Sequence, residues 1–159
     1  MYSCRRGVDS GRLVAFEPLR SPLPFAQTMS DPAAISSRLK APTIAVVDDD
    51  ESVREALGNL LMSIGLEVQG FDTAEDFLAS PHRNSVACLV SDIQLPGMSG
   101  LELQRRIVAD GNALPIILIT AFPRDHVRRQ AEQQGAVAVL AKPFDGSHMV
   151  DCIHRALRI

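Results

Sequence analysis

Asp48 and Asp49 follow the apolar run Ile44-Ala45-Val46-Val47, and Asp92 follows the run Val86–Val90 and Ser91. Thr120 closes the run Pro115–Thr120, and Lys142 comes directly after Ala136–Ala141. Three carboxylates sharing one crevice would repel, and their pKa values would rise unless a cation were bound. Oxygen-only ligands suit a hard ion, and so few of them suit Mg²⁺, which keeps several waters and takes phosphate oxygens. A hydroxyl and an ammonium opposite that ion suit a phosphoryl group, whose equatorial oxygens they can neutralise. A carboxylate placed between metal and ammonium can be the nucleophile, forming an acyl phosphate. Lys142 is the only lysine after residue 40, so no other lysine in that stretch can fill the role.

Each residue has an ordinary reading too. Asp48-Asp49-Asp50 before a helix can be caps that complement its dipole. A lone Asp after a strand is usually a turn residue. Thr120 can be a strand-end hydroxyl, and Lys142 a side chain reaching to solvent. Their coincidence at successive strand ends favours a site, provided the chain forms strands there.

The hydrophobic pattern says that it does. The apolar runs ending at Asp48, Asp92, Thr120 and Lys142 are unbroken, as strands buried on both faces are. Val53, Ala56, Leu57, Leu60, Leu61 and Ile64 mark one face of a helix stopped by Gly65. Leu66–Phe71 forms a second strand, and Thr73 caps a short helix burying Phe77 and Leu78. Ser99 and Glu102 form a capping box for a helix carrying Leu101 and Ile107-Val108. Pro123–Gln134 is the next helix, with Pro123 near its first turn and Gly135 after its end. Asp145 caps a last helix burying Met149, Val150, Ile153 and Leu157. Five strand–helix units of this kind give an α/β fold, a doubly wound parallel sheet in a three-layer sandwich. Ligands of such sheets bind beyond the carboxyl ends of the strands, where the five candidate residues lie.

Residues 1–42 differ in kind. They are punctuated by Gly7, Gly11, Pro18, Pro22, Pro24 and Pro32 and show no sustained period, which predicts a flexible extension before a domain at 43–159. Residues 1–40 hold six bases and three acids, or +3, whereas residues 41–159 hold ten bases and sixteen acids, or −6. Met29, followed by a short polar lead into the first strand, is an alternative translation start. The net charge of −3 and the aromatic content of 4%, with no Trp, argue against a nucleic-acid surface. No run approaches a membrane span or a secretory signal, so the expectation is a cytoplasmic protein. Cys4, Cys88 and Cys152 have no metal-ligand spacing and read as reduced thiols.

Val46-Val47-Asp48-Asp49-Asp50, Asp92-Ile-Gln-Leu-Pro-Gly-Met-Ser-Gly100, Ile119-Thr120-Ala121 and Lys142-Pro143-Phe144 together resemble the receiver domain of bacterial two-component response regulators. The resemblance covers roughly residues 43–158, and the wording is similar to receivers of the nitrogen-fixation transcription-regulator subfamily. It implies a flavodoxin-like sheet of order 2-1-3-4-5. Asp92 would accept a phosphoryl group from a histidine kinase or histidine phosphotransfer protein. Asp49 and Asp92 would bind Mg²⁺ directly, Asp48 through water, and the backbone carbonyl of Gln94 would add a ligand. Thr120 would move to hydrogen-bond the phosphoryl group, Lys142 would pair with it, and the Lys142-Pro143 bond would be cis.

Two positions depart from the family pattern or vary within it. Val139 stands where receivers often carry the Tyr or Phe coupled to the threonine. Phe122, two residues after Thr120, is placed to shield an acyl phosphate from water. The last helix ends near Ile159, so the expected output is a downstream protein or a receiver dimer rather than an appended effector. That contact would use the fourth helix, fifth strand and fifth helix, where Arg124, His126, Arg128, Arg129, His148 and His154 lie. The only catalysis expected is of its own phosphorylation and dephosphorylation. The competing readings are an unphosphorylated pseudo-receiver, disfavoured by the complete residue set, and a Mg²⁺-dependent phosphohydrolase. The latter needs an acid/base carboxylate two residues after the nucleophile, where Gln94 stands.

Overall fold

The computed structural model of the protein describes residues 40–159; the expectations for the leader, Met29 and Cys4 fall outside them. Apolar runs and parallel pairing produce one five-stranded sheet of order β2-β1-β3-β4-β5. Its strands are β1 (Thr43–Val47), β2 (Glu67–Phe71), β3 (Cys88–Asp92), β4 (Ile116–Thr120) and β5 (Ala138–Ala141), and every pairing is parallel. β1, β3 and β4 are buried along their whole length, as central parallel strands must be. β2 lies on the edge and has only exposed and half-buried residues.

Although the central strands read as continuous apolar runs, their residues sort strictly by parity. Ile44, Val46, Cys88, Val90, Ile117 and Ile119 face one core, completed by helices α1 (Glu51–Ser63) and α5 (Gly146–Leu157). Ala45, Val47, Leu89, Ile116 and Leu118 face the other, under α2 (Ala74–Ala79), α3 (Gly100–Ala109) and α4 (Asp125–Gln133). This is the doubly wound three-layer sandwich the periodicity calls for. An additional 3₁₀ turn, Arg83–Ser85, has no counterpart in the sequence reading.

The capping signals are realised. Thr73 accepts the N–H of Asp76, Asp145 accepts that of Ser147, and the Ser99–Glu102 box is closed in both directions. Other expectations need correcting. α4 begins at Asp125, not Pro123, because the Phe122 N–H turns back to the Thr120 hydroxyl and the Arg124 N–H bonds the Phe122 carbonyl. Ile64 is the C-cap of α1 and is 38% exposed, since Gly65 at φ +87° has already turned the chain. Ala56 is exposed as well. In α3 the second core position after Leu103 is Gln104, while Val108 points to solvent. Each of β2 to β5 starts one or two residues later than its apolar run, the run's first residues serving as buried or half-buried approach.

Candidate functional site

The sheet delivers its strand ends to one edge, and the side chains found there are the ones the sequence singled out. Oxygens of Asp48, Asp49 and Asp92 all lie within 4.8 Å of one another. Asp48 is fully buried, Asp92 is 5% exposed and Thr120 is fully buried, whereas Asp49 is open to solvent. Asp50, third in the acidic run, is spent otherwise: it is the N-cap of α1 and accepts from the Ser52 N–H at 3.0 Å. The capping explanation therefore holds for one of the three.

Lys142 reaches the cluster from the end of β5. Its Nζ donates to Asp48 Oδ2 at 2.9 Å and to Asp92 Oδ2 at 2.6 Å. The Lys142-Pro143 peptide bond is cis. Burial pushes the Asp48 pKa above the usual carboxylate value, even though the Asp50 N–H and Lys142 pull the other way. Desolvation pulls the Lys142 ammonium down, but its hydrogen bonds to Asp92 and Asp48 outweigh that and hold its pKa above the ordinary lysine value. One ammonium against three carboxylates leaves two formal negative charges, which a divalent cation would balance. The donor set is all oxygen, with one exposed carboxylate at the mouth, and this fits Mg²⁺ with retained waters.

The remaining partners orient these groups. The Gln94 N–H donates to Asp92 Oδ1 at 2.9 Å, which ties the nucleophile candidate to the loop that follows it. The Thr120 hydroxyl donates to Gln94 Oε1 and accepts the Phe122 N–H, both at 3.0 Å. The Phe122 ring is 63% exposed. Val139 packs half-buried against the α2–α3–α4 core.

Three further residues shape the site. Arg54 of α1 donates from Nη1 to the Asp48 carbonyl at 2.5 Å and pairs through Nη2 with Asp72 at 2.8 Å, joining the loops after β1 and β2. A cation early in a helix opposes the dipole unless acidic or carbonyl partners hold it, and that was the available sequence signal. Glu75 of α2 accepts the Met98 N–H at 2.9 Å and crowds Gly97, whose φ of +74° already favours glycine. Gly100 opens α3 where any Cβ would fall on the Asp92 carbonyl oxygen. Glycine at the start of a helix that already has a capping box was the hint of that close approach.

Comparison with known proteins decides the family. The family described as "Response regulator receiver domain" matches residues 44–154. This chain belongs to it. Response regulator protein TodT of Pseudomonas putida is 38% identical over 120 residues, covering 76% of this chain and 53% of TodT. Transcriptional regulatory protein FixJ of Bradyrhizobium diazoefficiens is 37% identical over 115 residues, covering 72% and 56%. Among solved structures, response regulator StyR superposes with a TM-score of 0.69 at 44% identity, over 74% of this chain and 60% of StyR. The FixJ-N crystal structure gives 0.67 at 34% identity, over 76% and 96%. The chain thus spans about half the length of the curated relatives it matches. Receivers of this family typically accept a phosphoryl group, bind Mg²⁺ and work with histidine kinases; they are signalling modules rather than enzymes in the ordinary sense. Among the described residues no helix is long and apolar enough to cross a membrane.

Proposed function

We propose that Asp92 of this receiver takes a phosphoryl group from the phosphohistidine of a kinase or a histidine phosphotransfer protein. The observation that carries the reading is the lysine bridge. Lys142 spans Asp48 and Asp92 within an acidic cluster whose charge calls for a divalent cation. An Asp92 carboxylate oxygen attacks phosphorus, the phosphorus–nitrogen bond breaks, and the imidazole leaves with the electron pair. Asp48, Asp49, Asp92 and the backbone carbonyl of Gln94 would hold Mg²⁺, Asp48 through water. That ion, when bound, neutralises phosphoryl charge. Lys142 pairs with a phosphoryl oxygen and offsets the charge of Asp92, while the Thr120 hydroxyl supplies a second hydrogen bond.

An apolar groove of about 560 Å³ runs beside Lys142, lined by Val53, Ala56, Leu57, Leu60, Pro143 and Phe144. It gives a phosphohistidine-bearing helix an apolar surface next to the nucleophile. For output, the face of α4, β5 and α5 offers exposed Arg124, His126, Arg128, Arg129 and His148, with His154 half-buried. Arg128 already pairs with Glu132 at 3.0 Å, so Arg124 and Arg129 contribute most of the free charge. This face suits an acidic protein target or a second receiver rather than DNA, and the setting is the cytoplasm. Residues 43–159 form the receiver unit, as a domain distinct in composition from residues 1–42.

Incubation with Mg²⁺ and acetyl phosphate, followed by intact-mass measurement and adduct mapping, tests the reading. A labile gain of about 80 Da, one phosphoryl group, is expected on Asp92 and absent in Asp92→Asn. No adduct would favour an unphosphorylated interaction module. Rapid multiple turnover on phosphate esters would indicate a phosphohydrolase, although Gln94 rather than a carboxylate occupies the acid/base position.

A further inference from the structure

Thr120 has one hydroxyl proton, and the structure shows where it goes. The side chain is fully buried at the end of β4, so that proton needs an acceptor. Gln94 Oε1 provides it at 3.0 Å, while the Phe122 N–H occupies a lone pair of the Thr120 hydroxyl oxygen. Gln94 itself is exposed, and its backbone N–H is bound to Asp92 Oδ1. The residue therefore holds the nucleophile with its main chain and the threonine with its side chain.

We propose that the Gln94 amide is a latch that competes with the phosphoryl group for the Thr120 hydroxyl proton. This rests on the reading of Asp92 as phosphoacceptor and deepens it. A hydroxyl donates one hydrogen bond at a time, so Thr120 cannot donate to Gln94 and to a phosphoryl oxygen together. With Asp92 unmodified, the amide satisfies the buried hydroxyl and keeps Thr120 in its observed place. When a phosphoryl group arrives, Thr120 must release the amide. The exposed Gln94 carbonyl then turns to water at little cost, whereas Thr120 exchanges a neutral acceptor for a charged one. Because Phe122 is hydrogen-bonded to the same hydroxyl, the release carries the start of the loop before α4 with it. The chain thus has a route from phosphoryl group to α4 that does not need an aromatic residue at the position of Val139. Gln94 is a positioning residue in this scheme, since it acts through Thr120.

The test is a double-mutant cycle on binding of beryllofluoride, a phosphoryl mimic, in the presence of Mg²⁺. Gln94→Met keeps the length of the side chain and removes the acceptor. Losing the competing bond is expected to tighten beryllofluoride binding about three- to tenfold, the range of one net hydrogen bond. In a Thr120→Ala background the same substitution is expected to have no effect. Independently, the Phe122 amide resonance of the unliganded Gln94→Met protein is expected to shift toward its position in beryllofluoride-loaded wild type. Equal tightening with and without the Thr120 hydroxyl, or none in either, overturns the latch while leaving Asp92 as acceptor. Wild-type protein that binds no beryllofluoride overturns both.

Discussion

Helices α4 and α5 lie on opposite faces of the sheet and are anchored very differently. α5 buries Met149, Cys152, Ile153 and Ala156 among side chains of β1, β3 and β4, and its N-cap Asp145 accepts the Ser147 N–H at 3.1 Å. α4 buries Ala131 alone, and its N-cap Arg124 makes no capping hydrogen bond with its side chain. Besides the half-buried Val127, it is tied by the Gln104 amide of α3, whose Nε2 donates to the Ala131 carbonyl at 3.0 Å. The weakly held helix is the one whose leading loop hydrogen-bonds Thr120. A receiver needs a part that can shift when one group is added at the site, and low burial makes such a shift cheap. The strongly held helix keeps the domain folded meanwhile.

Paired truncations should widen this contrast most. Ile153→Ala is expected to lower unfolding free energy by about 2–5 kcal/mol, the cost of a cavity in a packed core. Val127→Ala on α4 should cost about 1 kcal/mol or less, because its site is only half-buried. Urea unfolding of the two variants measures the difference, and equal losses would remove the asymmetry.

Cutting the Gln104 tie acts on one helix only. Gln104 Oε1 is buried without a partner, so Gln104→Met removes an unsatisfied oxygen along with the useful bond. Global stability should stay within about 1.5 kcal/mol of wild type as these terms oppose. Amide exchange across α4 should quicken, with α5 unaltered.

Arg124→Asp supplies the missing cap and should stabilise α4 by up to about 1 kcal/mol. Slower exchange in the first turn of α4 would register it, together with a weaker response to phosphorylation.

The smallest effect concerns acid. The N–H of Ser147, then its hydroxyl, hold the Asp145 carboxyl below its ordinary value of 3.8. A depressed folded pKa means the cap stabilises fully above the unfolded value and is lost as pH falls through the folded one. The stability gap between wild type and Asp145→Ala should therefore be constant near neutrality and close only below about pH 3.8. A gap that closes near pH 6 would assign the effect to another group.

Much of this was legible in the chain because it rests on local signals. Unbroken apolar runs, 3.6-residue periods and the Ser99–Glu102 box set the elements, and strand-end chemistry set Asp48, Asp49, Asp92, Thr120 and Lys142. What escaped depends on contacts between distant segments. Gln104 looks like a surface amide until α4 packs over it. Glu75 is an ordinary helix-start acid until the loop after β3 arrives. The start of α4 slipped past Pro123 because a side-chain bond from Thr120, invisible to periodicity, shapes the preceding loop. The buried thiols gave no trouble: Cys88 is pushed up to about 12 by desolvation, as an inert packed thiol should be.

The most direct test of the whole account is hydrogen–deuterium exchange on the protein with Mg²⁺, with and without beryllofluoride. Loading at Asp92 should change exchange from Phe122 through α4 and leave the core of α5 as it was, and Asp92→Asn should abolish the change. An unaltered α4, or a response that survives in Asp92→Asn, would contradict it.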